Sequence, residues 1–375
     1  MPTALVIGGT GPTGPVVVDG LLERGYEVTI FHGGHHEVEF AGQVRHLHGD
    51  PHFAETIAET VGAETFDVVV AQYGRLRHVA EFFAGRTGQV VAIGGATGSL
   101  ARPTAPVWGR LGRPAIVGEW EFHREDDERG NKMGFRMAQA LARLFEVADA
   151  GGYRATYIGY PILYGPRQPA SREWSIVRRI LDGRPFIVLP DGGLKLESRG
   201  YSENVALAPL LAVDNPDAAA GQTYVVADRE VYTHRQRVEA IAAQLGASLE
   251  VLSLPYEFGV PSHPLYRGTP GHRVATSDRV RAELGYTDRY TPDEALERTV
   301  NWLVETAPPP GGELEQQLGD PFDYAAEDRL ADTWARCEGE LRQVEIAVAD
   351  NAHAYRHPKK PGEAWQRPTS ASRPL

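Results

Sequence analysis

Through the first half of the chain, short apolar runs of strand length alternate with longer segments whose apolar positions recur at helical spacing. The runs fall at residues 4–7, 27–31, 44–48, 68–71, 89–93 and 155–158, with helical stretches at 16–22, 53–61, 76–83 and 137–148 between them. Strands alternating with helices predict a parallel sheet covered by helices on both faces. Right-handed crossovers put the ligand crevice of such a sheet at the C-terminal ends of its strands. The residues just past each run therefore matter most: 8–14, His32, Asp50, 72–75, 94–97 and Tyr160.

The second half is less regular. A helix is expected over 171–181, strands over 186–189 and 222–227, and a helix capped by Thr233 that runs to Leu245. Thr291-Pro292-Asp293-Glu294 is a capping box with proline in the first turn, which predicts a helix over 292–305. Residues 308–312, Pro-Pro-Pro-Gly-Gly, break the chain. Beyond them a polar helix is expected over 325–348, with Leu330, Trp334, Leu341 and Val344 near one face. A stripe of that kind must be buried. It is expected to dock on its own sheet domain or on a second subunit, a homodimer being the favoured of the two. The last fifteen residues, rich in proline, serine and charge, read as a frayed, solvated tail. There is no internal repeat.

The chemistry starts at residues 4–14, Ala-Leu-Val-Ile-Gly-Gly-Thr-Gly-Pro-Thr-Gly. An apolar run ends in Gly8, glycines recur at Gly11 and Gly14, and a helical segment follows. Thr10, Pro12 and Thr13 complete the turn. Such a turn lets backbone N–H groups approach a pyrophosphate, and the helix N-terminus adds partial positive charge. The glycines stand in the context that gives the pattern meaning, after a strand and at the start of a helix.

Composition narrows the class. At 375 residues the chain can hold a sizeable core and two lobes. Its formal net charge of −12 argues against a general nucleic-acid or anionic-membrane binder. No apolar run reaches the length of a membrane-spanning helix, and the chain enters its first strand with no signal peptide. The single cysteine, Cys337, rules out an intrachain disulfide and fits a reducing, cytoplasmic setting.

Several motifs together resemble the extended short-chain dehydrogenase/reductase family, the NAD-dependent epimerases and dehydratases, over most of residues 1–305. Gly8, Gly11 and Gly14 match the family's glycine-x-x-glycine-x-x-glycine turn. Gly49-Asp50 matches the glycine–aspartate after its third strand, where the aspartate faces adenine. Residues 161–166, Pro-Ile-Leu-Tyr-Gly-Pro, look like its proline-x-x-tyrosine-glycine-proline. Residues 199–206 resemble the segment that re-enters the nucleotide domain, and 278–286 its late helix and turn. The resemblance implies an α/β fold: a Rossmann-type doubly wound parallel sheet with a smaller C-terminal substrate lobe and, here, a helical C-terminal extension. The expected divisions are a dinucleotide-binding domain over 1–165, re-entered by 200–230, a substrate lobe from 166–199 and 231–307, and an extension over 308–375.

Three departures make the expected active site non-standard. The family's tyrosine and the lysine four residues on align with Met133 and Met137, which move no protons. The only tyrosine-x-x-x-lysine, Tyr355 to Lys359, lies in the basic tail and reads as coincidence. Ala96 stands where the family has a serine or threonine, leaving Thr97 one residue along. At the end of the second strand an NAD-preferring turn has an acidic residue; here stand His32, Gly33 and Gly34, so NADP is favoured over NAD. Substitute acids and bases are sought in Lys132, Glu121, His123 and Tyr164, with Glu119 as a further carboxylate. Residues 72–77, Tyr73 among them, should border the pyrophosphate and nicotinamide ribose, with Arg75 or Arg77 holding a phosphate or a substrate carboxylate through a forked contact. Gly94 ends the fifth strand beside them.

Six histidines fall between His32 and His52. Their spacing fits no helical ligand pair, no cysteine lies near, and no metal is expected; they read as polar residues at the adenine end of the cleft. The function these observations favour is NAD(P)-dependent hydride transfer on a small polar substrate, as a reductase, epimerase or dehydratase. The alternative is a redox-inert NADP(H)-binding sensor or subunit. An RNA-binding relative is disfavoured by the acidic charge and the lack of an arginine–lysine stripe.

Overall fold

The computed structural model describes residues 1–34, 37–95, 116–117, 132–259, 265, 271–349, 360–362 and 370–374. The first half runs β1 (Thr3–Ile7), α1 (Gly14–Glu23), β2 (Glu27–His32), β3 (Arg45–His48), α2 (Ala54–Val61), β4 (Phe66–Ala71), α3 (Leu76–Phe82), β5 (Thr87–Gly95), β6 (Ile116–Val117), α4 (Lys132–Asp149) and β7 (Arg154–Tyr160). It continues through β8 (Ile162–Tyr164), α5 (Trp174–Leu181), β9 (Phe186–Pro190), β10 (Arg199–Tyr201), α6 (Ser202–Val205), α7 (Leu207–Asp214), α8 (Pro216–Ala219) and β11 (Gln222–Val225). The rest is α9 (His234–Gln244), β12 (Glu250–Leu254), α10 (Tyr256–Gly259), β13 (Val274–Ala275), α11 (Asp278–Leu284), α12 (Pro292–Thr306), α13 (Glu313–Leu318), α14 (Tyr324–Leu341), β14 (Glu345–Ala349) and β15 (Ser370–Pro374).

Seven strands form one sheet in the order β11-β7-β5-β4-β1-β2-β3, every neighbouring pair parallel. The chain moves outward from β1 to β3, then returns to β4 on the other side of β1 and proceeds to β11. That reversal between β1 and β4 is the switch point at which open α/β sheets bind ligands. Successive side chains of the strands serve opposite faces. Val6, Ile30 and Val70 pack with Val17, Val18 and Leu21 of α1 and Leu210 of α7. Leu5, Ile7, Phe31 and Val69 pack with Ile57 of α2, Val79 of α3 and Leu144 of α4. Burial on both faces is why these strands read as continuous apolar runs.

Outside the sheet, β8 pairs with β10, β9 with β12 and β6 with β13, all in parallel. Helix α12 packs against α5 and α9, and its Thr291–Glu294 capping box forms as the sequence predicts. The segment around α13 is clamped to α5. Glu315 accepts from the Trp174 indole at 2.9 Å and pairs with Arg178, and Asp320 takes the Arg179 guanidinium through two bonds of 2.7 and 3.2 Å. Arg179 and Asp320 are both fully buried.

The chain divides into two compact units, Met1–Asp320 and Pro321–Leu375. In the second, Asp323 caps α14 by accepting from the Ala326 N–H. The helix is shorter than its pattern predicts. It ends at Leu341, and Glu345–Ala349 pairs antiparallel with Ser370–Pro374. In Glu-Ile-Ala-Val-Ala the β-branched residues alternate, a strand period that overrides the helical spacing of Leu341 and Val344. The same pairing corrects the expectation of a frayed tail for residues 370–374. Leu330 and Trp334 are half-buried, while Leu341, Val344 and Ile346 are exposed. Among the described residues, no helix is long and apolar enough to cross a membrane.

Candidate dinucleotide and substrate site

The glycine turn sits at the C-terminal end of β1. Gly8 and Gly9 adopt φ of +102° and +93°, a region L side chains rarely enter. The turn is tied down by Gly8 N–H donating to Phe31 O and Gln72 N–H donating to Ile7 O, both at 2.9 Å. Gly14 lies against Gly9 so closely that an added Cβ would stand 2.2 Å from the Gly9 carbonyl. Gly11 is the opposite case: a Cβ there meets none of the described residues within 4 Å. One glycine is required for packing, the other leaves open space on the outer side of the turn. Thr13 is buried and donates to Gln72 Oε1 at 2.7 Å. Its hydroxyl is thereby withheld from α1, which begins at Gly14 with no side-chain cap among the described residues. Uncapped N–H groups at a helix start are what an anion needs. Thr10 and Pro12, half-buried, complete the rim. The cradle fits a dinucleotide pyrophosphate.

The neighbouring strand ends carry the other positions expected to meet a cofactor. His32 closes β2, almost fully buried, and burial lowers its pKa from the ordinary histidine value. Asp50 follows β3, its carboxylate accepting from both the backbone N–H and the ring of His52, and these bonds lower its pKa. Tyr73 is exposed and its ring meets His52 edge-on at 4.7 Å. The Arg75 guanidinium lies 5.3 Å from the Phe53 ring centre, and its backbone N–H donates to Pro51 O. Asp50, Tyr73 and Arg75 thus share one wall after β3 and β4. Gly94 pairs with Gly159 across β5 and β7, and a Cβ on it would strike the Tyr157 hydroxyl at 2.4 Å.

The expected catalytic groups are less completely placed. Thr97, Glu121 and His123 lie outside the described residues, as do Ala96 and Glu119. Lys132 is the first residue of α4, and Met137 is half-buried one turn on. Tyr164 is fully buried at the end of β8, with its ring 5.5 Å from Tyr201 and the Arg237 guanidinium over its face at 4.8 Å. Burial first, and the nearby Asp228 carboxylate second, push its pKa far up, so the phenol stays protonated. That suits a hydrogen-bond donor, not a base. Asp228 itself is pushed up to about 6 by burial.

A buried charged cluster lies beside Tyr164, and its members escaped sequence reasoning except for Arg199 within a family segment. Glu197 is shared by three guanidiniums: Arg199 at 3.2 Å, Arg273 at 3.3 Å and Arg172 at 3.4 Å. Glu173, fully buried, accepts from Arg237 at 3.3 Å and from the Ser171 hydroxyl at 3.2 Å. Burial works to raise Glu197, but Arg199, Arg172 and Lys195 outweigh it and hold the carboxyl at about 2. Lys195 is pushed down to about 8 and Arg199 to about 10, both by burial. Neither terminal nitrogen of Arg199 donates a well-formed hydrogen bond among the described residues. The detectable signal was the alternation Lys195-x-Glu197-x-Arg199, charges at a two-residue period.

Pairing of β2 with β3 adds one more grouping. His32, Glu37, His46 and His48 bring their donor atoms within 4.8 Å of one another. Spacing along the chain made a metal unexpected, because it does not report which strands pair.

No family model and no curated protein matches this chain. Solved structures do. UDP-glucose 4-epimerase from Thermotoga maritima superposes with a TM-score of 0.63 at 17% identity, over 81% of this chain and 99% of that one. The dTDP-glucose 4,6-dehydratase of Bacillus anthracis, solved in complex with NAD, gives 0.61 at 15% identity, over 81% and 97%. UDP-glucose 4-epimerase from Thermus thermophilus, also solved with NAD, gives 0.58 at 19% identity, over 80% and 99%. The fold is the one that these epimerase and dehydratase structures share.

Proposed function

We propose that this chain is an NAD(P)-dependent oxidoreductase of the extended short-chain dehydrogenase/reductase type, acting on a small polar substrate with a non-standard active site. The observation that carries this reading is the turn at the β1–β4 switch point, packed at Gly14 and open at Gly11. A bound nicotinamide cofactor supplies hydride transfer; the protein orients it. The turn and the start of α1 would hold the pyrophosphate, Asp50 the adenine side, and Tyr73, Arg75 and Gly94 the nicotinamide half. With His32 in place of an acidic residue as the last position of β2, NADP is favoured over NAD. Thr97, Lys132, Glu121, His123 and Tyr164 form the set from which proton transfer and substrate positioning are drawn. Whether the net reaction is reduction, epimerisation or dehydration depends on that set.

Gly11→Val tests the reading. A Cβ at this position meets no described atom within 4 Å, so the melting temperature should stay within about a degree, in line with the small effect of surface substitutions. NADP(H) affinity measured by calorimetry should fall at least about 100-fold, roughly 2.8 kcal/mol at 1.4 per decade. Unchanged affinity would sink the proposed site. The rival, a redox-inert NADP(H)-binding sensor or subunit, draws on Met133 and Met137 at the family's tyrosine and lysine positions. It predicts the same calorimetry with no nicotinamide oxidation or reduction in a screen of nucleotide sugars and small carbonyl compounds.

The assembly we propose is a homodimer through the C-terminal extension, because Leu341, Val344 and Ile346 present apolar surface to solvent. Light scattering of the chain cut after Asp320 should report a monomer where the full chain reports a dimer. Equal subunit counts for the two would remove this part of the proposal.

A further inference from the structure

We propose that His32, Glu37, His46 and His48 form a binding site for one divalent first-row transition ion of the Zn2+ class, at the β2 edge of the dinucleotide cleft. The fold builds it from two adjacent strands. His46 and His48 are two residues apart on β3, so the pleat puts them on one face. His48 is the register partner of His32 on β2, which places all three imidazoles together. Glu37 comes from the connection between the strands and turns its carboxylate onto both β3 histidines.

The distances suit a single ion. In a tetrahedral Zn2+ site with bonds of 2.0–2.1 Å, donor atoms stand roughly 3.3 Å apart. Here His32 Nε2 and His46 Nδ1 are 3.1 Å apart, His46 Nδ1 and Glu37 Oε2 3.4 Å, and His48 Nε2 and Glu37 Oε1 3.7 Å. The widest separation among the four donors is 4.8 Å. Closing it takes a small rotation of His48 or Glu37, both more than half exposed and free to turn. His32 is the buried anchor and His46 the half-buried second. Three imidazoles and a carboxylate, with no thiolate, are donors for Zn2+, Co2+, Ni2+ or Cu2+ rather than for Mg2+ or Ca2+, which take oxygen ligands.

One hydrogen bond changes on ligation. The Gly34 N–H donates to His32 Nδ1 at 3.3 Å, which leaves the ring proton on Nε2. Binding through Nε2 needs the other neutral tautomer, with the proton on Nδ1, and gives up that long contact. No net proton leaves His32. The ion would hold the connection between β2 and β3 against both strands.

The test uses the full-length protein, stripped with chelator, dialysed and free of dinucleotide. ZnCl2 is titrated against a chromogenic chelator as competitor, and CoCl2 is followed by visible absorption. The expected result is one Zn2+ per chain, a four-coordinate Co2+ spectrum, and a melting temperature that rises with Zn2+ concentration as binding to the folded state requires. His46→Gln with His48→Gln should lose the Co2+ spectrum and weaken Zn2+ by at least about 100-fold, the upper end of what loss of a mere supporting partner costs. His78→Gln, outside the cluster, should bind as the unaltered chain does. If the double variant fails to fold, Glu37→Gln carries the test, since this exposed side chain is dispensable for packing; Zn2+ affinity should drop at least about 10-fold. Absence of stoichiometric Zn2+ in the unaltered chain overturns the proposal. So does unchanged affinity in the folded double variant or in Glu37→Gln.

Discussion

Gly14→Ala should abolish the proposed dinucleotide binding and lower stability at once. The new Cβ would stand 2.2 Å from both the carbonyl carbon and oxygen of Gly9 and 2.7 Å from its Cα. These are backbone atoms, so no rotamer change relieves the overlap. The turn has to open, and with it goes the bond from the Gly14 N–H to Gly11 O at 3.0 Å. Helix α1 begins at this residue, so its N-terminus moves away from the end of β1. Overpacking of this kind costs about 1–3 kcal/mol, readable as a lowered midpoint in urea. Affinity for NADP(H), by calorimetry, should become undetectable. The contrast with Gly11→Val is the informative part: one substitution disturbs the turn, the other only fills the space in front of it. A Gly14→Ala protein that melts and binds as the unaltered chain does would mean that the turn tolerates a rebuilt backbone.

Glu197→Leu should be the most destabilising single change outside the seven-stranded sheet, by about 3–5 kcal/mol, the cost of breaking a buried ion pair from one side. Three guanidiniums converge on this carboxylate, and burial already holds Arg199 and Lys195 below their usual values. Removing Glu197 leaves like charges facing one another in a region of low dielectric. Chemical denaturation measures the loss, and Arg199→Met added to Glu197→Leu should recover part of it. Acid reaches the same carboxylate without mutation. Its pKa of about 2 in the fold lies below the ordinary 4.5, so its contribution is present above pH 4.5 and is lost as pH falls towards 2. The shift corresponds to about 3 kcal/mol. In Glu197→Leu this part of the acid-side slope should vanish; an unchanged slope would mean that other groups carry it.

What could be read from the sequence divides along physical lines. Strands β1, β2, β4, β5 and β7 were legible because each is buried on both faces, and apolar run length reports that directly. The glycine turn was legible because a backbone requirement shows as residue identity: only glycine suits φ of +102° at Gly8, or the contact at Gly14. The Glu197 cluster was not legible, since Arg172, Glu197, Arg237 and Arg273 come together only through the folding of the lobe. The histidine group hid for a related reason. His32 and His48 are sixteen positions apart, and what unites them is a β2–β3 register no local pattern encodes. At the C-terminus two periodicities competed within a few residues. Leu341 and Val344 continued the helical spacing, while Ile346 and Val348 followed the strand spacing that won.

The clamp on α13 has a consequence for how the chain can be handled. The proline–glycine run at 308–312 looks like a natural place to cut, yet residues 313–320 after it belong to the body they follow. A fragment ending at residue 307 would take away the acceptor of the Trp174 indole and the carboxylates paired with Arg178 and Arg179. Stranding buried donors of that kind costs more than loop cleavage ordinarily does. The usable seam therefore lies after Asp320. A protease should find it there, and an expression boundary or fusion partner belongs there too.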